Sequence, residues 1–171
     1  KLSVIVATRD REQHLAAMLA SYASEWSHTK ELLVVDNGSR DGTSALLERL
    51  KKSEKKLSSL FVAEPGQSLA INRGIAATSG PCVAFLDDDI VVQPGWARAL
   101  LSAFETSDCA GFQGRILLAA EARADPERAA LARRYKTLPI TDHGTGTCAV
   151  KVLVGANMAA RREVLERFGG F

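Results

Sequence analysis

The chain has 171 residues, of which 46% are hydrophobic and 25% charged, and its formal net charge is +2. These values are ordinary for a globular protein of one domain. Both signs of charge are interspersed, which argues against nucleic acid as a partner. No apolar run approaches the ~20 residues of a membrane helix, so we predict no membrane segment in this chain.

The cysteine content favours a reducing compartment. The three cysteines, Cys82, Cys109 and Cys148, are odd in number and have no metal-binding spacing. We therefore expect small, buried, apolar side chains rather than a disulfide framework, and a cytoplasmic protein. Whether the parent protein associates with the cytoplasmic face of a membrane is left open.

Strand and helix patterns alternate along the first hundred residues. Short β-branched and apolar runs predict strands at residues 2–8, 31–36, 59–63 and 82–87. Apolar residues at helical spacing predict helices at 11–24, around Leu46 to Leu50, from Ser68 to Ser79, and from Pro94 onward. Ser68 is the predicted N-cap of the third helix, and Pro94 the first residue of the fourth. This alternation predicts an α/β fold, with a mostly parallel sheet and helices on both faces.

The rest of the chain is less regular. The pattern predicts a strand within 110–118, an exposed helix over 121–134, and a loop over 140–151. Residues 152–171 predict a strand, a turn and a short helix.

Polar residues follow all four of the first predicted strands. They are Thr8-Arg9-Asp10, Asp36-Asn37-Gly38, Gly66-Gln67-Ser68 and the run Asp87 to Asp89. Ligands of open α/β sheets bind outside the carboxyl ends of the strands. The sequence therefore predicts a binding site at this edge of the sheet.

The stretch CVAFLDDDIVVQPG, residues 82–95, places three consecutive aspartates after a buried strand. If the strand continued that far, Asp87 and Asp89 would share one side and Asp88 would point away. Two carboxylates form a hard oxygen site for Mn²⁺ or Mg²⁺ that leaves room for phosphates. The third carboxylate could accept a hydrogen bond from a hydroxyl, such as that of a ribose. The alternative is a solvated cap of the next segment, although the helix predicted from Pro94 lies far from these residues.

Asp36 raises a similar pair of alternatives. An acid at the end of the second strand suits a hydrogen bond from a nucleoside. Alternatively, it builds the tight turn of the sequence DNGSRDG. We favour the ligand interpretation for Asp36 and a turn or capping role for Asp41.

Four stretches together resemble the family 2 glycosyltransferases, which have the GT-A fold. They read SVIVATRDR, LLVVDNGSRDGTSALL, GQSLAINRGIAATSGPCVAFLDDDIVVQPGW and GANMAARREVLERFGGF. Their order and spacing match the family, and the resemblance covers most of the chain apart from about 119–150.

The resemblance implies an enzyme that moves a sugar from a nucleoside-diphosphate donor to a hydroxyl, with inversion at the anomeric carbon. The acceptor would be a saccharide, a lipid-linked sugar or another hydroxyl compound, as in cell-wall or polysaccharide synthesis. The implied metal ligands are Asp87 and Asp89, for Mn²⁺ or Mg²⁺. The residues implied to bind the nucleotide sugar are Thr8, Arg9, Asp36, Asn72, Asp88 and Asn157.

Two departures from the family pattern stand out. Ile71 takes the place of an arginine that often lies near the nucleotide. The family also continues, after the GGF motif, into an acidic segment that holds the catalytic base. We therefore expect residues 1–171 to be one GT-A domain shortened at its C-terminus, with its base beyond Phe171. Residues 1–95 would form the nucleotide-binding half, and 96–171 the start of the acceptor-binding half.

Other interpretations stay open. His143 could complete a metal site, although an ordinary loop histidine is the simpler interpretation. Trp96 could line the sugar pocket, but core packing is the commoner use of tryptophan. A nucleotidyltransferase is disfavoured because the segment after the first strand, ATRDREQHL, contains no glycine for a phosphate loop. A non-catalytic module that binds nucleotide sugars is the remaining alternative.

Overall fold

A computed structural model describes residues 1–134, 140–142, 144 and 146–171. These residues form a single six-stranded sheet with the strand order β3-β2-β1-β4-β6-β5. The strands are β1 Leu2–Thr8, β2 Thr29–Asp36, β3 Leu57–Phe61, β4 Cys82–Leu86, β5 Gly111–Gln113 and β6 Asn157–Arg161. The first four strands are parallel, whereas β6 runs antiparallel to both β4 and β5.

Helices cover both faces of the sheet, as the sequence predicts. They are α1 Glu12–Ser21, α2 Thr43–Ser53, α3 Gln67–Ala77, α4 Trp96–Thr106, α5 Ala120–Ala124, α6 Pro126–Arg134 and α7 Arg162–Phe168. A short 3₁₀ helix, Tyr22–Glu25, follows α1. Side chains of β1 alternate between two cores: Val4 and Val6 pack with α1, α2 and α4, whereas Ile5 packs with α3 and α7. This mixed α/β architecture, a mostly parallel sheet with helices on both faces, confirms the predicted fold class.

Several predicted boundaries differ from the structure. The third strand spans Leu57–Phe61 rather than 59–63, because its register against β2 is set by Leu57 opposite Leu32. Helix α3 has Gly66 rather than Ser68 at its N-cap. Helix α4 begins at Trp96 rather than Pro94, because Gly95 adopts a left-handed conformation (φ 86°) immediately before it.

The second half differs more from its prediction. The strand expected within 110–118 is only Gly111–Gln113, with an isolated bridge between Ile116 and Thr141. The exposed helix expected over 121–134 is two helices, α5 and α6, divided at Asp125. Residues 152–154 are not a strand; the strand of this segment follows the turn and starts at Asn157.

The prediction that the cysteines are buried is confirmed only in part. Cys82 is buried on β4, but Cys109 and Cys148 are exposed, and all three are free thiols. The last two lie in segments without helix or strand. Among the described residues, no helix is long and apolar enough to cross a membrane.

Candidate functional site

The carboxyl ends of the parallel strands bring the predicted polar residues to one edge. Thr8, the last residue of β1, lies opposite Asp36, the last residue of β2. On the other side of β1, Val6 lies opposite Leu86, so the aspartates after Leu86 are at the level of Thr8. This confirms that the first, second and fourth polar clusters share one edge of the sheet.

The three aspartates do not continue the strand. β4 ends at Leu86, and the chain turns at Asp88 and Asp89, so strand alternation does not set their directions. Asp88 is the buried member at 5% exposure, and its carboxylate accepts a hydrogen bond of 2.6 Å from the Thr8 hydroxyl. The condition for Asp87 and Asp89 to share one side, a strand that continues through them, is therefore not met. Asp88 does not point away from Asp89, because both carboxylates contact Arg11.

Arg11 is the residue that sequence reasoning missed at this site. Its Nη2 donates to Asp89 Oδ2 at 2.7 Å, and its Nε lies 3.4 Å from Asp88 Oδ1. The signal was present in the sequence, because ATRDR carries a second arginine two residues after Arg9. Only the turn after β4 shows that the second arginine, and not the first, faces the carboxylates.

Negative charge accumulates at this edge. Burial raises the pKa of Asp87, and the nearby charges of Asp89 and Asp88 raise it further, while Arg11 opposes them. A carboxyl group with a raised pKa is one whose ionised form lacks compensation. Positive charge near Asp87 would lower this pKa again.

Asp36 forms a turn hydrogen bond, as expected from the alternative to its ligand interpretation. It is 4% exposed, and its Oδ1 accepts a hydrogen bond of 2.8 Å from the Ser39 amide. The neighbouring Asn37 ties β2 to the segment before α3, since its side chain donates to Val62 and Glu64 carbonyls and accepts from the Gly66 amide. The nucleoside role of Asp36 stays a prediction.

Asp41 has the structural role predicted for it. Its Oδ1 accepts from the amide and hydroxyl of Thr43, the first residue of α2. Its Oδ2 accepts from the amide of Glu12, the first residue of α1. One carboxylate therefore caps two helices.

Asn157 lies beside the aspartates. It is opposite Leu86 in the sheet, and the Asp87 amide contacts the neighbouring Ala156 carbonyl at 3.5 Å. Its side chain accepts from Trp96 Nε1 at 2.9 Å and donates to the Arg115 carbonyl. Trp96 also packs edge-on against Tyr22, so its packing role is observed.

Two predicted residues are not joined to the carboxylates. Arg9 is exposed, and its guanidinium lies 3.8 Å from Asp10. Asn72 makes two hydrogen bonds to the backbone of Phe171, one as donor and one as acceptor. Ile71, next to it, is partly buried against the core beneath α3.

The loop after the aspartates is also held by Ser21, the last residue of α1, and by Glu25 of the 3₁₀ helix that follows. The Ser21 hydroxyl accepts from the Val92 amide. The buried carboxylate of Glu25 accepts from the amides of Gly95 and Ala97, at 2.8 and 2.7 Å, and so caps α4. Burial raises the pKa of Glu25, but these amides and the Ser24 hydroxyl lower it more, and the net shift is downward.

The donor set fits a divalent cation whose shell is completed by a ligand. Within the described residues, no three His, Cys, Asp or Glu side chains form a ready metal cage. Mg²⁺ and similar cations, however, are often held by one or two carboxylates together with phosphates and water. Asp87 and Asp89 supply hard oxygens of that type. His143 lies outside the described residues.

Comparison with known proteins identifies the family. The profile described as "Glycosyl transferase family 2" matches residues 3–169. The chain belongs to glycosyltransferase family 2. This confirms the resemblance seen in the four sequence stretches.

Relatives carry glycosyltransferase names. An uncharacterized glycosyltransferase of Nostoc is 33% identical over 112 residues, which are 65% of this chain and 35% of that protein. The Campylobacter jejuni GalNAc(5)-diNAcBac-PP-undecaprenol beta-1,3-glucosyltransferase is 32% identical over 59% of this chain and 33% of its own length. Glycosyltransferase AglE of Haloferax volcanii is 27% identical over 99% of this chain and 55% of its own length. The chain thus spans between a third and just over half of these relatives.

Solved structures show the same fold. A mannosyltransferase of Pyrobaculum calidifontis, in complex with GDP-Man and Mn²⁺, superposes with a TM-score of 0.74 at 20% identity, over 99% of this chain and 47% of that one. A second match is glucosyl-3-phosphoglycerate synthase of Mycobacterium tuberculosis, in complex with Mn²⁺, UDP-Glc and phosphoglyceric acid. Its TM-score is 0.62 at 24% identity, over 96% of this chain and 57% of that one. At these identities the likeness establishes the fold.

Proposed function

We propose that this chain is the donor-binding part of a metal-dependent, inverting glycosyltransferase. The observation that carries the proposal is the carboxylate cluster at the sheet edge. Asp87, Asp88 and Asp89 follow β4 at the level of Thr8, and burial and mutual repulsion raise the pKa of Asp87. A nucleoside-diphosphate sugar that arrives with a divalent cation brings the charge that this edge lacks.

Each residue has a distinct task in this proposal. Asp87 and Asp89 hold Mn²⁺ or Mg²⁺, and the buried Asp88, already aligned by the Thr8 hydroxyl, accepts from a hydroxyl of the ribose or sugar. Asp36 lies opposite Thr8 and contributes to the nucleoside pocket. Asn157 borders the same edge, opposite Leu86, where the sugar would lie. When bound, the cation neutralises charge on the leaving diphosphate.

The acceptor is a hydroxyl of a saccharide, a lipid-linked sugar or a similar compound. An inverting transfer also needs a general base for that hydroxyl. We assign none of the described side chains to that role. Arg9 and Asn72 are the weaker members of the predicted set, because Arg9 faces Asp10 and Asn72 is bonded to Phe171.

The test is a thermal-shift series with UDP, GDP, dTDP and CMP, each with and without Mn²⁺. A ligand at 100 times its Kd stabilises the folded state by about 2.7 kcal/mol, a readily measured shift. We expect one nucleotide to stabilise the protein only with Mn²⁺, and Asp89→Asn to abolish that shift. Asp108→Asn, an exposed position away from the site, is the matched control. Unchanged Mn²⁺-dependent binding in Asp89→Asn would refute the metal assignment.

Turnover separates the enzyme from a module that only binds. Family membership favours glycosyl transfer over the nucleotidyltransferase alternative. Slow release of free sugar from the matching nucleotide sugar, dependent on Mn²⁺ and lost in Asp89→Asn, would support catalytic competence of the full-length protein. Tight donor binding by the full-length protein with no release or transfer of the sugar would favour the non-catalytic module.

A further inference from the structure

Arg11 occupies a position that helix formation does not explain. It is the N-cap of α1, where Ser, Thr, Asp or Asn is preferred because the side chain must accept an amide hydrogen bond. A guanidinium has five donors and no acceptor, so it cannot cap a helix. Its positive charge is also unfavourable beside the positive end of the helix dipole.

The capping task has moved to another residue. The Glu12 amide donates to Asp41 Oδ2 at 2.9 Å, across 29 positions of sequence. A residue that breaks a local rule while a distant one compensates is characteristic of a functional position. The reason for Arg11 therefore lies in what its side chain contacts.

Its contacts are two of the three aspartates. The guanidinium lies 2.7 Å from Asp89 and 3.4 Å from Asp88. The backbone is fixed by the first turn of α1, in which the Arg11 carbonyl accepts from the Leu15 amide. The side chain is 41% exposed, so its head can change partner without unpacking the core.

A guanidinium and a divalent cation cannot both occupy the carboxylates at low cost. Arginine stays protonated at all physiological pH values, so the two cations repel each other near Asp89. A diphosphate offers the fork-shaped guanidinium paired oxygens, a better partner than one exposed carboxylate.

We propose that Arg11 holds Asp88 and Asp89 while the donor is absent, and moves to the diphosphate as the divalent cation takes Asp87 and Asp89. This inference rests on the proposed function and adds to it an exchange of partners by Arg11. Each ligand removes a cost of binding the other: the cation displaces Arg11, and the diphosphate receives it. The cation and the nucleotide therefore bind far better together than apart.

Calorimetric titration of the protein tests this exchange. The quantity measured is the coupling factor, the fold by which saturating Mn²⁺ tightens binding of UDP or GDP, whichever stabilises the protein. We expect Arg11→Gln to reduce the coupling factor by about tenfold or more. We also expect this variant to bind MnCl₂ alone more tightly than the wild type does, because no arginine competes for the carboxylates.

Two further variants control for charge and shape. Arg49→Gln removes the same charge from an exposed position on α2, and its coupling factor should stay within about twofold of wild type. Arg11→Lys keeps the charge and should retain most of the coupling.

Several outcomes would overturn the inference. An unchanged coupling factor in Arg11→Gln would make Arg11 a plain phosphate ligand if nucleotide affinity falls, or a surface residue if it does not. If the wild type shows no Mn²⁺-dependent nucleotide binding and Asp89→Asn changes nothing, the proposed function itself is wrong. Mn²⁺-dependent nucleotide binding by Asp89→Asn thus distinguishes a failure of the Arg11 exchange from a failure of the proposed function.

Discussion

The two ends of the parallel sheet use similar polar residues to opposite effect. At the amino end, the hydrogen bonds form a closed set. Ser3 donates to Glu31, the Gly80 amide donates to Ser3, and Arg162 donates to the Gly80 carbonyl. At the carboxyl end, two of three successive carboxylates, Asp88 and Asp89, share the guanidinium of Arg11. At the amino end the polar groups are bonded to one another, and at the carboxyl end we propose that the carboxylates bind a ligand.

The direction of the pKa shift separates Glu31 at the amino end from Asp87 at the carboxyl end. Burial raises the pKa of Glu31, but hydrogen bonds from Ser3 and Ser79 lower it more, and the net shift is downward. The pKa of Asp87 is raised by burial and by its neighbours Asp89 and Asp88. A lowered value marks a carboxylate whose ionised form is stabilised by its surroundings, whereas a raised one marks a carboxylate whose ionised form is destabilised by burial or by like charges.

Matched amide substitutions give the largest expected contrast. Asp87→Asn should weaken Mn²⁺-dependent nucleotide binding by about 100-fold or more, since it removes one of two proposed metal ligands. In metal-free buffer its free energy of unfolding should be unchanged or higher by up to about 1 kcal/mol, because like-charge repulsion is relieved. Calorimetry and urea unfolding measure the two quantities.

Glu31→Gln should behave in the reverse manner. Loss of the carboxylate that joins Ser3 to Ser79 should lower the free energy of unfolding by about 1–2 kcal/mol and leave nucleotide binding intact. A stable Glu31→Gln protein together with an unstable Asp87→Asn protein would contradict the comparison between the two ends.

Arg162 is expected to be the strongest stabilising side chain of the amino end. Its guanidinium, at 15% exposure, donates to the carbonyls of Gly80 and Ile75 and to the Thr78 hydroxyl. Arg162→Met should lower the free energy of unfolding by about 2–3 kcal/mol, because these acceptors lose charge-assisted bonds. The exposed Arg167→Met is the control. Equal stability of the two variants in urea would show that the amino-end bonds contribute little.

The sequence was sufficient to predict the first two strands and the polar edge of the sheet. Strands β1 and β2 have continuous apolar runs, and their polar ends predicted the edge at which Thr8, Asp36 and the aspartates meet. Short runs of β-branched and apolar residues predict such strands, because burial on both faces of a sheet demands apolar residues without interruption. The four family stretches then gave the fold.

The roles of Arg11 and Glu25 could not be predicted from the sequence, because they depend on contacts with residues far along the chain. Arg11 reaches residues 77 and 78 positions later, and the Glu25 carboxylate reaches amides 70 and 72 positions later. No local pattern marks a buried glutamate that caps a distant helix. The failure at β3 is different in kind: Ser58 and Ser59 interrupt its apolar pattern, so only pairing with β2 fixes its register.

Two glycines extend the comparison of the ends to the backbone. A Cβ added to Gly80 would lie 2.4 Å from Ser3 Oγ and 2.9 Å from the Ser3 amide, within the amino-end bonds. Gly80→Ala should therefore lower the free energy of unfolding by about 2 kcal/mol. A Cβ on Gly42, by contrast, meets only the flexible carboxylate of Glu12, which can move away. Gly42→Ala should cost less than about 0.5 kcal/mol, and a larger loss there than in Gly80→Ala would contradict the distinction.

Glu25 gives a small effect with a defined pH dependence. Because its pKa is lowered in the folded protein, its ionised form stabilises the fold above the unfolded pKa of about 4.3. That stabilisation is lost as the pH falls through the lower folded value. Glu25→Gln should thus be less stable than wild type by about 1 kcal/mol at pH 7, and the difference should shrink towards pH 3.

Urea unfolding of both proteins from pH 3 to pH 7 checks this dependence. A constant difference across the range would mean that the shape of the cap at α4, rather than its charge, stabilises the loop after the aspartates. The same loop carries Asp87 to Asp89, and Glu25 fastens its far end at Gly95 and Ala97. A carboxylate bonded to backbone amides thus holds in place the segment that carries the proposed metal ligands.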